Sequence, residues 1–377
     1  MPAVTYPTAR AVASRVEKHF ARHLAAARKR GRTDLAAAAD ASVIQTVVDA
    51  AFWASLRREE GRTPKISLAF LSQADAGQAL LFAEPMPLSP AGIAKLAPAV
   101  ERPGIHLGVW PSNGELRVWG TTRTLPAFCM VIEVVGSGLL VIKHRAESFG
   151  KFVNVAVLEG DQIKIVDEGG ANVPDCPGVL KCMLGTDWPM AHGAPVNVLV
   201  QLAASMRAHG RGGALLVVPT GSTGWRESIV TPVLYTVDPP FGALADMLIE
   251  PHDTESHEWQ EDLKRAIDGI AGLTAVDGAT LVNDRYELLA FGAKITRRRG
   301  NAPVERVLVT EPIEGSAMTE STPVQLGGTR HLSAAQFVHD QRDASALVAS
   351  QDGRFTIFTW SATENGVHAH RVEALLL

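Results

Sequence analysis

The sequence predicts an α/β (α+β) protein in two parts: a C-terminal mixed β-sheet flanked by helices, and a separate β-rich N-terminal domain with helices of its own. Three observations carry this. Hairpin signals recur three times between residues 105 and 166. Residues 167–195 then turn rich in Gly, Pro and Asp with no period, as a linker or long surface loop does. Beyond them helical and strand patterns alternate. At 377 residues the chain is too long for one core, and the expected domains are 1–190 and 195–377.

In the N-terminal part, residues 8–31 read as a basic helix ending near Gly31. Ser42 with Gln45 makes a capping-box pattern. Val43, Val47, Phe52 and Leu56 follow at helical spacing, a stripe read as core, and Gly61 lies just past the end. After Pro64 the texture changes to strands, the first over 66–71. Residues 105–110 and 115–119 flank Pro111-Ser112-Asn113-Gly114, a turn containing glycine. In the same way 128–135 and 139–143 flank Gly136-Ser137-Gly138, and 152–158 and 162–166 flank Glu159-Gly160-Asp161.

In the C-terminal part, 196–209 reads as a helix and 214–218 as a buried strand opened by Gly212-Gly213. Residues 241–250 and 258–271 look helical, and 280–282 and 287–291 look like strands. Residues 333–337 begin a helix. Residues 346–350 and 354–359 form a hairpin around Asp352-Gly353. There is no internal repeat.

Composition excludes several classes. Hydrophobic and charged fractions of 46% and 20% are those of a globular protein. A net charge of −4 gives no positive field to gather nucleic acid, and the aromatic residues are too scattered for a base-stacking platform. The basic runs Arg28-Lys29-Arg30 and Arg297-Arg298-Arg299 read as solvated turns. No run reaches the roughly 18–20 apolar residues of a membrane span, and the N-terminus has no apolar signal core. A cytoplasmic protein is expected. Three cysteines without a CxxC pair suit a reducing compartment and argue against a disulfide framework or a zinc site.

Two short segments carry chemistry. In Gly327-Gly328-Thr329-Arg330-His331 the glycines let backbone approach a ligand, and a following helix start aims N–H groups at phosphate. Thr329 adds a hydroxyl, Arg330 a planar cation, and His331 a further donor. Alone, the segment reads more readily as a capped helix. Asp277-Gly278-Ala279 follows a helix and opens a strand. Asp277 there can hold a divalent metal or accept a proton from a hydroxyl, and Gly278 and Ala279 keep the wall low. Alone, Asp-Gly is a turn dipeptide. No Walker A pattern ending in Gly-Lys-Ser or Gly-Lys-Thr is present.

Taken together, Asp-Gly-Ala followed by Gly-Thr-Arg-His, with two strands between, resembles the diadenylate cyclase domain. Gly212-Gly213-Ala214-Leu215-Leu216-Val217-Val218 resembles that family's first buried strand. Leu289-Ala290-Phe291-Gly292-Ala293 resembles the strand after Asp-Gly-Ala, and Leu347-Val348-Ala349-Ser350 with Gly353 resembles its late hairpin. Two positions depart from the pattern: Leu332 stands where the family commonly has a third basic residue, and Gln351 follows Ser350. In the N-terminal part, the run from Ala51-Phe52-Trp53 to Glu60-Gly61, then Leu107-Gly108-Val109-Trp110 and Gly150-Lys151-Phe152, resembles the probable sensor domain that precedes some of these cyclases.

The resemblance implies that two ATP molecules, one per domain, are joined into cyclic di-AMP across a self-associated pair. It implies a divalent metal (Mg²⁺ or Mn²⁺) at Asp277, and catalytic roles for Asp277, Arg330 and His331. The nucleotide would lie against Gly278, Ala279, Phe291, Gly292, Gly328, Thr329, Arg330, His331 and Ser350. The N-terminal part would answer to a ligand the residues do not name. Two rivals stand beside this: an inactive ATP or cyclic-dinucleotide receptor of the same fold, and an unrelated nucleotide hydrolase.

Overall fold

The first helix, α1 (Pro7–Lys29), opens with proline in its first turn, where the missing N–H costs nothing, and closes on Arg28 and Lys29, which suit the negative end of its dipole. The computed structural model describes residues 4–146, 152–184, 197–233, 235–249 and 256–377. Contacts divide the chain into two units, Met1–Val166 with Leu377, and Asp167–Leu376. Each unit has one mixed sheet flanked by helices. Among the described residues, no helix is long and apolar enough to cross a membrane.

After α1 the first unit runs α2 (Ala41–Ser55), β1 (Ile66–Phe70), β2 (Leu80–Pro87), α3 (Pro90–Val100), β3 (His106–Ser112), β4 (Glu115–Thr122), β5 (Met130–Gly136), β6 (Leu139–Arg145), β7 (Phe152–Glu159) and β8 (Gln162–Ile165). The sheet order is β2-β4-β3-β1-β5-β6-β7-β8. Only β1 and β3 pair in parallel; the other neighbours are antiparallel. Val12, Val16 and Phe20 of α1, Ile44 and Val48 of α2 and Ile93 of α3 meet Leu68, Leu107, Ile132, Leu140 and Ile142 of the sheet in one core.

All three expected hairpins are present. Two readings of helices change. The cap of α2 is Asp40, extended at φ −78° and ψ 168°, whose carboxylate accepts from the Val43 N–H; Ser42 already lies inside the helix. Of the expected stripe, Val43 and Val47 are buried, Phe52 is half-buried and Leu56 is exposed. Strand β2 and helix α3 were not legible: β2 ends in Glu-Pro-Met-Pro on a sheet edge, and α3 contains Pro98.

The second unit opens with a 3-10 helix (Glu168–Asn172) and α4 (Gly178–Met183), where the sequence suggested only linker. Then follow α5 (Val198–Ala208), β9 (Gly213–Val218), a 3-10 helix (Gly224–Ser228), β10 (Tyr235–Phe241), α6 (Ala243–Ile249) and α7 (His257–Leu273). Next are β11 (Ala279–Asn283), β12 (Leu288–Ala293), β13 (Val307–Thr310), β14 (Thr319–Ser321), α8 (Pro323–Leu326) and α9 (Thr329–Asp340). The unit closes with β15 (Ser345–Ala349), β16 (Phe355–Ser361), β17 (Gly366–Arg371) and a 3-10 turn (Glu373–Leu375). The sheet order is β10-β12-β11-β9-β15-β16-β17-β13-β14, with β9–β11 and β13–β17 parallel. Ala334, Ala335, Phe337 and Val338 of α9 pack on Ala214, Leu216, Ala346 and Val348. Phe241, expected in a helix, ends strand β10 instead, and α9 starts at Thr329, earlier than Ser333. Gly150, Lys151, residues 185–195 of the expected linker, Val196 and Glu250 lie outside the described residues.

Candidate functional site

Register alone gathers the predicted segments. Parallel pairing sets Ala279 of β11 beside Ala214 of β9, and antiparallel pairing sets Ala349 of β15 beside Gly213. Antiparallel β12 sets Ala293 beside Ala279. The residues just outside these pairs are Asp277-Gly278, Gly212, Ser350 and Lys294, so all of them stand at one end of the sheet.

Two glycines make that end compact. Gly278 has φ +121°, and a Cβ on it would lie 2.4 Å from the carbonyl carbon of Gly292. Gly212 has φ +70°, and its Cβ would lie 2.8 Å from Arg330 Nη1 and 3.1 Å from the Ala349 carbonyl oxygen. Any other residue at either position would be strained by the positive φ; at Gly278 it would also collide with backbone, and at Gly212 it would displace the tip of Arg330. The guanidinium of Arg330 therefore reaches across the start of β9 toward the Asp277 turn.

Asp277 projects into solvent, its side chain 92% exposed, and forms an ion pair with Lys294. The hydrogen bond and charge of Lys294 hold its carboxyl below the usual carboxylate range, and the charge of Arg330 acts in the same direction. Ala279 is buried as the first residue of β11. Phe291 stacks on Tyr235 with ring centroids 4.7 Å apart and planes 4° from parallel, which makes a flat wall beside Gly292.

Gly328 is the N-cap of α9, and Thr329 and Arg330 form its exposed first turn. The first N–H groups of a helix have no partner inside it, so this turn offers donors and a cation together. His331 differs. It is 2% exposed, its Nε2 lies 3.4 Å from the Thr356 hydroxyl, and Gly327 sits so close that a Cβ there would be 2.3 Å from Nδ1. Burial pushes the imidazole below its ordinary range, so the ring is neutral at pH 7. Leu332 is 37% exposed, outside the core. Ser350 is half-buried, its N–H donating to the Arg354 carbonyl at 2.9 Å, and Gln351 donates to the Arg211 carbonyl at 3.4 Å.

Lys294 and Tyr235 join the site without having been read from the sequence. Lys294 could have been found: pairing the strand after Asp277 with the next one puts it opposite the aspartate. Tyr235 belongs to β10, whose two prolines hid the strand. At the opposite end of β9 and β11 a cleft of about 390 Å³ is lined by Thr220, Ser222, Trp225, Arg226, Asp238 and Glu287 among others. None of the predicted site residues reaches it.

A Mg²⁺ or Mn²⁺ that takes one carboxylate and completes its shell with phosphate and water oxygens fits Asp277, an exposed carboxylate held ionised. Lys294 already sits on that carboxylate and would have to share or release it.

Among known families, the model described as "Probable sensor domain DACNV" matches residues 33–123, from just before α2 through β4. The match contains the Ala51–Gly61 and Leu107–Trp110 segments (residues 51–61 and 107–110) singled out in the sequence. A regulatory sensing role for the first unit is consistent with it. No curated protein matches the chain.

Proposed function

We propose that the second unit is a diadenylate cyclase that condenses two ATP into cyclic di-AMP and two pyrophosphates, under the control of the N-terminal sensor domain. The observation that carries this reading is the meeting of the Asp277 turn, Gly212, the α9 start and Ser350 at one sheet end.

In this reading the nucleotide lies against Gly278, Ala279 and Gly292, with Phe291 beside its base and Ser350 at the rim. Thr329, Arg330 and the free N–H groups of the first turn of α9 hold the phosphates. The 3′-oxygen of each ATP forms a bond to the α-phosphorus of the other. The α–β bridging bond breaks, and pyrophosphate leaves with its electron pair. Each 3′-hydroxyl proton passes to Asp277 or to water. A bound Mg²⁺ or Mn²⁺ supplies charge neutralisation on the phosphates. Asp277 and the phosphates would hold it. The depressed carboxyl of Asp277 is a weak base, which suits metal holding better than proton removal. One domain cannot close the ring with itself, so the active form is at least a dimer.

A specific observation favours one rival. Leu332 replaces a cation on the exposed first turn of α9, and His331 is neutral and buried. With fewer positive groups facing phosphate, the domain would bind nucleotide and react slowly, as a receptor. Incubating the purified chain with ATP and Mn²⁺ or Mg²⁺ separates the readings. Cyclic di-AMP supports the cyclase. Tight binding without product supports the receptor, and ADP supports a hydrolase.

A further inference from the structure

The cleft at the far end of β9 and β11 has a use of its own. These parallel strands end side by side, with Val218 beside Asn283. In open sheets the crevice outside the carboxyl ends of parallel strands is where ligands settle. The chain leaves β9 through Pro219-Thr220-Gly221-Ser222-Thr223-Gly224. That loop forms one wall of the cleft of about 390 Å³, and β10 with the residues opening β12 forms the other. The volume falls within the roughly 300–1,000 Å³ usual for small-molecule sites.

The two walls differ in chemistry. On the loop wall, Arg226 lays its guanidinium over the ring of the buried Trp225, 4.6 Å from the centroid. The indole holds the cation by its face, which leaves the N–H edge for a ligand. Among the described residues no carboxylate pairs with Arg226, and the neighbouring Glu227 is taken by Arg298 at 2.6 Å. Gly221, at φ +78°, can line the cleft only with backbone. The Gly221 and Thr223 N–H groups have no backbone partner among the described residues, and the Ser222 and Thr223 hydroxyls belong to the same wall. Cation, amide and hydroxyl donors together suit a phosphate. The strand wall carries two carboxylates instead, Asp238 and Glu287. These accept hydrogen bonds, as the hydroxyl groups of a sugar require. The loop is held before any ligand arrives. The Asp284 carboxylate accepts from the Thr220 N–H at 3.0 Å and from the Thr220 hydroxyl. Gln341 donates to the Gly224 carbonyl at 3.0 Å and to the Ser228 hydroxyl at 2.9 Å. A wall fixed in advance loses little freedom on binding.

We propose that this cleft binds a small phosphorylated sugar, its phosphate on the Arg226 wall and its hydroxyl groups on Asp238 and Glu287. A bare polyanion would face two carboxylates, and a neutral sugar would leave the guanidinium unused. The site shares no residue with the Asp277 end of the sheet. It therefore stands apart from the cyclase reading, and binding tests it whether or not ATP reacts.

The test titrates the full chain by calorimetry with ribose 5-phosphate, inorganic phosphate and ribose in separate runs. We expect one ribose 5-phosphate per chain, bound about tenfold or more tightly than either inorganic phosphate or ribose, as one or two added hydrogen bonds give. Ribose 5-phosphate should also raise the Tm of the wild type, as binding to the folded state requires; this arm needs no variant to fold. Arg226→Ala, at an exposed position, should weaken both phosphate ligands about tenfold or more. Asp238→Asn combined with Glu287→Gln should weaken ribose 5-phosphate and spare inorganic phosphate. Arg330→Ala should leave ribose 5-phosphate binding unchanged, which separates this cleft from the start of α9. The proposal is overturned if the wild type binds no ribose 5-phosphate, or if inorganic phosphate binds as tightly. Full affinity in Arg226→Ala overturns it as well, and so does loss of binding in Arg330→Ala.

Discussion

Asp277 and Lys294 act as a pair in this site, and the pair predicts two separate effects. Asp277→Asn is nearly isosteric and removes the negative charge, so synthesis should fall by about 10²–10³-fold with Tm unchanged. Lys294→Met removes the group that depresses the Asp277 carboxyl. The carboxyl should then rise toward its ordinary range, and the acid limb of the rate–pH profile should move to higher pH; an unmoved limb would detach Asp277 from the rate. Arg330→Ala should weaken ATP binding roughly 10–150-fold, the equivalent of a charge-assisted phosphate contact of about 1.5–3 kcal/mol. Because Leu332 is exposed, Leu332→Arg carries no core penalty, and titration should find tighter ATP binding at an unchanged Tm. His331 belongs to another category. The same Gly-Thr-Arg-His segment was legible as phosphate-binding chemistry, but residue types cannot tell that the fourth side chain turns inward toward Thr356 and Phe358. In the folded unit it positions the Gly327–Gly328 turn. His331→Ala should therefore lower Tm, whereas Arg330→Ala should not.

Elements were legible where local chemistry decided them, and hidden where the sheet did. The hairpins after β3, β5 and β7 each combine alternation with a glycine turn, so neighbouring residues suffice. Strands β13 and β17 pair in parallel, with Val307 beside Val367, and nothing local announces such a pair. Strand β17 also hides its burial, because His368 and His370 are inside it. The close approach of β11 to β12 supplies the prediction at this scale. Gly278 touches backbone, which cannot rotate away as a side chain can. Gly278→Ala should cost about 1–3 kcal/mol through overpacking and the strained φ. It should also displace the Asp277 turn, so nucleotide binding and Tm fall together. Urea melts and ATP titration of the same preparation check it; a stable variant with normal binding would show that the turn tolerates a Cβ.

At the scale of the whole molecule, the division after Val166 predicts how the chain can be cut. The sequence placed a linker over 167–195 because that stretch lacks a period, yet its first half is anchored in the second unit. The Asp167 N–H donates to the Pro312 carbonyl at 2.9 Å. The Asp175 carboxylate accepts from the Ser361 hydroxyl at 2.8 Å and the Thr363 N–H at 2.9 Å. Those contacts hold the Asp175 carboxyl below its usual range, the Thr363 N–H foremost. Val179, Leu180, Met183 and Leu184 are buried. Period-based reading misses such a segment because its helices are one or two turns long. A fragment starting at Asp167 should therefore fold cooperatively. One starting at residue 195 loses four buried apolar side chains, each worth about 1.5–3 kcal/mol when fully buried. Even after discounting for relaxation, its stability should be lower by on the order of 5 kcal/mol. Urea denaturation of the two fragments compares them directly, with the midpoint of the shorter one expected well below that of the longer. Equal midpoints would mean that residues 167–184 merely rest on the second unit and that the boundary lies near 190 after all.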